Sequence, residues 1–133
     1  MKTPRIKVTA DIMEVVIDEL IFLGVSPCLQ GYEYAKTGIC LILENPKSVF
    51  FITKDLYPVI AQEHNSTPPR VERSLRHAIE RMYLYSDLDV LQKYFGLVVS
   101  SNSGRVTNSQ FLSVVAERIR KKVGVYSGNY SEE

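Results

Sequence analysis

The side chains best suited to chemistry lie together in one stretch, Thr67 to Met82, reading TPPRVERSLRHAIERM. Val71, Leu75, Ala78, Ile79 and Met82 recur at helical spacing and make one apolar stripe, which must face a core. Arg73, Arg76, His77 and Glu80 fall on the opposite side of that helix, with Arg70 and Glu72 on its shoulders. These are long hydrogen-bonding groups, mostly basic at the start. Arg presents two parallel donors that match guanine O6 and N7, and a Glu carboxylate accepts from cytosine N4. Such a face is either a solvated surface, the commoner case for charged helix faces, or a reader of base edges.

What precedes the stretch favours the reader. LYPVIAQEHNSTPPRV has the form of a short helix, a turn at Asn65-Ser66-Thr67, and a second helix. Ala61 is small enough for two helices to approach, Asn65 tolerates the left-handed backbone that the turn needs, and Thr67 is a good N-cap with Pro68 at the first helical position. This is a helix-turn-helix pattern, spanning about residues 57–83.

Other chemistries find no support. Cys28 and Cys40 have no CxxC or Cys/His spacing and are expected to be buried or partly buried free thiols; His64 and His77 share no helix face with ligating carboxylates, so no metal site is expected. SNSGR lacks the Lys-Ser/Thr of a nucleotide loop, and no nucleophile elbow occurs. The expectation is a protein that is not an enzyme, with no cofactor and no small-molecule substrate. No apolar run approaches the roughly 18 residues of a membrane span, and the N-terminal residues lack a secretory pattern, so the expected compartment is the cytoplasm. The net charge is only +1, so any nucleic-acid surface must be local.

The words ITK and LYP, RVER and RHAIE, GY-Y near Gly31 and TNS-F near Thr107 closely resemble the DNA-binding effector domain of the stage-zero sporulation response regulators of endospore-forming bacteria. The resemblance covers roughly residues 10 to 122. It implies a transcription regulator that binds double-stranded DNA at a short G- and C-containing box, with effector domains paired head-to-tail on tandem sites. Carried over residue by residue, it implies base contacts from Arg70, Glu72 and Arg73, and phosphate contacts from Arg76 and His77, with Lys54, Asn65 and Thr67 as weaker phosphate candidates. Pro68-Pro69 stands where the family commonly has a small residue and Ser, which removes a hydroxyl and an N–H that could reach a phosphate. The family regulator also carries an N-terminal receiver domain, and no α/β segment here could be one; an excised effector domain and a stand-alone relative both fit. A relative that kept the fold as a helical protein-interaction module, binding another regulator instead of DNA, is the alternative.

The elements that position these residues are read as an all-α single bundle of about six helices, one domain over residues 1–133 with no repeats or internal linker. Asp11 to Leu23 forms a first core helix stopped by Gly24; Tyr32 to Leu43 a second, weakened by Gly38 and ended at Asn45-Pro46. Val49 to Ile52 has strand propensity but no visible partner, and is read as the buried end of a connection. Pro58 opens the third helix, and Asp89 to Phe95 is a short fifth with Leu88, Leu91, Tyr94 and Phe95 available to the core. Residues 100–106 read as a surface loop. Thr107 to Gln110 is a capping box opening a sixth helix that carries Phe111, Val114, Val115, Arg118 and Ile119, and residues 124–133 read as a frayed tail.

Overall fold

The computed structural model describes residues 3, 5–96, 98–99, 104–126 and 130–131 of the 133. Among them the chain is all-α apart from a two-stranded antiparallel pairing of β1 (Arg5–Ile6) with β2 (Tyr130–Ser131). Six α-helices follow the expected order: α1 (Ala10–Leu23), α2 (Gln30–Glu44), α3 (Tyr57–Glu63), α4 (Pro68–Tyr85), α5 (Leu88–Phe95) and α6 (Asn108–Tyr126). The last helix runs past Gly124, where the tail was expected to begin.

Local signals set most boundaries. Thr9 caps α1, its hydroxyl accepting from the Ile12 N–H, and Gly24 ends that helix at φ 85°, a left-handed conformation a side chain would strain. Between α2 and α3 the chain tightens into a 3-10 segment (Pro46–Phe51) and then a π turn (Ile52–Leu56) that runs directly into α3. The expectation of a buried connection holds for Ile52 and in part for Val49, which packs against the core half-buried. Phe50 and Phe51 are 75% and 55% exposed, because tight turns present successive side chains all round and leave few of them a core to face.

The core is one continuous cluster around α2, which packs on α1, α3, α4 and α6. Tyr32, Ala35, Ile39 and Ile42 point inward as their spacing predicts. Gly31 is where α2 crosses α4: a Cβ there would sit 2.2 Å from the Ser74 carbonyl oxygen. Any side chain would push α4 away. Val71, Leu75, Ala78, Ile79 and Met82 of α4 are all buried, each at 4% exposure or less.

Three expectations about single residues are corrected. Leu88 is 60% exposed: it starts α5 beside the cap residue Asp87, and only Leu91 and Phe95 of that helix are buried. Cys28 lies exposed in the turn before α2 instead of buried, whereas Cys40 is partly covered. Of the expected surface loop, residues 100–103 lie outside the described residues; Val106 is buried, and its N–H donates to the Tyr83 hydroxyl at 3.2 Å.

The bundle is also fastened by polar groups far apart in sequence. Glu19 of α1 is 3% exposed, yet its carboxylate accepts from the Tyr94 hydroxyl and from Lys122 Nζ, each at 2.5 Å, joining α1, α5 and α6. Arg118 faces outward and lies over the Tyr94 ring, 4.6 Å from its centroid.

Candidate nucleic-acid interface

The outward face of α4 divides into two parts. In its first turns Arg70 and Arg73 are exposed, and among the described residues neither side chain has an ion pair or hydrogen bond. One turn further on, Arg76 Nη1 donates to Glu72 Oε1, and Arg76 Nε lies 4.0 Å from Glu80 Oε1. Glu72, Arg76 and Glu80 therefore form an i, i+4, i+8 charge ladder. Half-exposed pairs of this kind contribute only about 0.3–0.5 kcal/mol to stability, so the ladder's effect is on orientation. His77 is exposed beside it.

The first turn of α4, residues 68 to 71, offers no free main-chain donor. Pro68 and Pro69 lack N–H groups, and the Arg70 and Val71 N–H groups donate to Thr67, at 3.4 Å to its hydroxyl oxygen and 3.0 Å to its carbonyl oxygen. An anion at this end must be held by side chains. The Thr67 hydroxyl accepts in the cap and keeps its own proton to donate outward.

The turn between α3 and α4 is pinned from behind by α2. Asn65 takes φ 51°, the left-handed conformation its residue type suggested. On either side of it, the Tyr34 hydroxyl donates to Ser66 Oγ at 3.0 Å, and Thr37 Oγ1 is 2.7 Å from His64 Nε2, with the Tyr34 and His64 rings edge to face. His64 thus serves the turn from inside, while Asn65 is exposed. Asn65, Arg70 and Arg73 line one hollow of about 350 Å³ together with Gln30 at the start of α2.

On the other flank the start of α6 closes against α4. Asn108 Nδ2 donates to the Glu72 main-chain oxygen at 2.9 Å and to the Tyr57 hydroxyl at 3.1 Å, tying α6 to both helices of the motif. Burial holds the Tyr57 phenol's pKa above its usual range, against the bond from Asn108, which lowers it. Glu72, Arg76, Thr53, Arg105 and Ser109 line a cleft of about 700 Å³ there. Lys54 is exposed in the π turn next to Thr53 and lines neither hollow.

The structure thus brings Asn65, Arg70 and Arg73 to one side of α4, Glu72 and Arg76 to the other, and leaves Lys54, Thr67 and His77 exposed around them. Sequence reasoning missed Asn108, Tyr34 and Thr37. The words TNS-F and GY-Y contain Asn108 and Tyr34 without disclosing what they touch. Among the described residues no group of His, Cys, Asp and Glu side chains could hold a metal ion, and no helix is long and apolar enough to cross a membrane.

With a cation-bearing helix presented by a pinned turn, the match to known proteins falls where the geometry points. The family model described as "Sporulation initiation factor Spo0A C terminal" matches residues 16–119, which takes in α2 to α5 whole and the motif at their centre. The chain belongs to this family of DNA-binding domains of sporulation transcription factors.

Proposed function

We propose that this chain reads a short G- and C-containing box in double-stranded DNA by laying the first turns of α4 in the major groove. The observation that carries this reading is the exposure of Arg70 and Arg73, unpaired among the described residues, on the two turns of helix that follow a rigid corner. Recognition helices touch bases with their N-terminal residues, and a bidentate Arg–guanine pair is worth about 1–3 kcal/mol of discrimination. Arg70 and Arg73 take guanine edges and Glu72 a cytosine amine. Lys54, Asn65, Thr67 and His77 hold phosphates on the flanks, and Arg76 adds one through the Nη2 donors it does not direct at Glu72. With the α4 N-terminus closed by prolines, backbone affinity comes from side-chain cations and is accordingly dependent on salt.

The chain works as a monomer that pairs head-to-tail on tandem boxes, in the compartment where the DNA is, the cytoplasm of a bacterial cell. Sedimentation at micromolar concentration tests the first point: one monomeric species without DNA supports it, and a stable dimer contradicts it. A gel shift with a selected G/C-containing box against scrambled duplex, at stated salt, tests the function itself.

The alternative, an interaction module that binds another regulator, draws support from one surface. Phe22, Leu84, Tyr85 and Leu88 are exposed at the joined ends of α1, α4 and α5, where the Ser86 hydroxyl lies 3.4 Å from the Gly24 carbonyl oxygen. Equal affinity for selected and scrambled DNA would favour that module over the reader.

A further inference from the structure

We infer that Arg76 is a positioning residue for base readout: it holds the Glu72 carboxylate at the cytosine edge, so that the two side chains deliver one specificity. This rests on the reading of Glu72 as a base contact. Glu72 is restrained at both ends. Its main-chain oxygen accepts from Asn108, and its Oε1 accepts from Arg76 Nη1. Among the described residues no hydrogen bond reaches Oε2, which leaves that oxygen to accept from a base amine.

A lone glutamate is a poor group to bring to DNA. It is repelled by the phosphates, and its three side-chain torsions must be frozen at the moment of binding. The guanidinium of Arg76 offsets the charge and supplies the geometry in advance, itself steadied by Glu80 from the following turn. In water such a pair is weak, but between protein and DNA the local dielectric falls and the same contact orients more strongly. Among the described residues Arg73 has no corresponding partner, and it reads alone.

The test uses a site selected by the wild-type chain from random duplexes, with each base pair then replaced in turn and affinities read by fluorescence anisotropy at several salt concentrations. Glu72→Ala is expected to erase a preference of at least about fivefold at one G·C pair. Arg76→Ala should erase most of that same preference although Glu72 is still present. In the Glu72→Ala background, Arg76→Ala should change it by less than about twofold, the signature of two groups acting as a unit. Arg76→Lys, a point charge without the fork, should keep the salt slope and recover only part of the preference.

If Arg76→Ala instead lowers affinity for every duplex alike and leaves the preference intact, Arg76 is a phosphate contact only and the inference is overturned. If Glu72→Ala alters no base preference, the base-reading role of Glu72 falls and the inference with it. The wild-type preference for selected over scrambled duplex reports separately on whether the chain is a DNA reader at all. Circular dichroism of each variant secures the fold.

Discussion

Asn108 and Glu72, distant in sequence, are joined by a 2.9 Å hydrogen bond from the Asn108 carboxamide to the Glu72 main-chain oxygen, and the same nitrogen reaches the Tyr57 hydroxyl. One side chain at the start of α6 thus ties the two helices of the motif together. Asn108→Ala is expected to cost about 1–3 kcal/mol, since it removes two bonds and leaves a part-buried phenol short of a partner. The urea midpoint reports that loss. If α4 reads bases as proposed, DNA affinity measured well below the midpoint should fall for the selected box more than for scrambled duplex, because α4 loses its set while its cations remain.

Leu75 sits at 1% exposure in the middle of the α4 stripe. Leu75→Ala should destabilise the fold by about 2–5 kcal/mol, from lost burial and the residual cavity. A denaturant midpoint that did not move would contradict the orientation of α4.

What could be read in the sequence was what local physics determines. The α4 stripe, the Thr67 cap, the Gly24 stop and the left-handed Asn65 each follow from a few neighbouring residues, and each is found in place. Glu19 with Tyr94 and Lys122, or Asn108 with Glu72, are pairings between residues brought together only by the finished bundle, and no periodicity announces them. The Glu72–Arg76 ladder is a different case. Its spacing was visible all along, but spacing alone does not say whether an Arg on a helix turns to a neighbouring carboxylate or, like Arg73, pairs with none among the described residues. Phe50, Phe51 and Leu88 were misplaced because apolar type suggested burial where the chain turns too tightly, or starts a helix too far out, to provide it.

Burial first, and then the hydrogen bond to the Glu19 carboxylate, raise the pKa of Tyr94 well above the ordinary phenol range. In the folded chain this phenol stays protonated where the unfolded chain has lost the proton. Stability from this group is therefore fully present below about pH 10 and falls as pH rises above it. Tyr94→Phe removes that proton. The alkaline decline of unfolding free energy should become shallower by up to about 1.4 kcal/mol per pH unit, read from urea midpoints between about pH 10 and 11.

The two thiols should differ in reactivity. Cys28 is exposed, whereas Cys40 is partly covered by α2's neighbours and burial pushes its thiol up to about 11. Brief iodoacetamide treatment of the native protein near pH 8 should add one adduct, at Cys28, because the thiolate is the reacting form. Peptide mapping by mass spectrometry locates it, and equal labelling of Cys40 would contradict the packing of α2.

The DNA affinity of Arg73→Ala tests most directly the claim that α4 reads bases. Arg73 is exposed and unpaired among the described residues, so its removal breaks no ion pair or hydrogen bond there. Wild-type and variant chains are titrated with the selected box, with the same box carrying a single G substitution, and with scrambled duplex, at one stated salt concentration. The predicted result is a wild-type preference of about 1–3 kcal/mol for the intact box over the substituted one, flattened in Arg73→Ala, with scrambled DNA weakened only slightly. A change below about 0.5 kcal/mol in every titration, smaller than any bidentate base contact is worth, would contradict the recognition-helix reading.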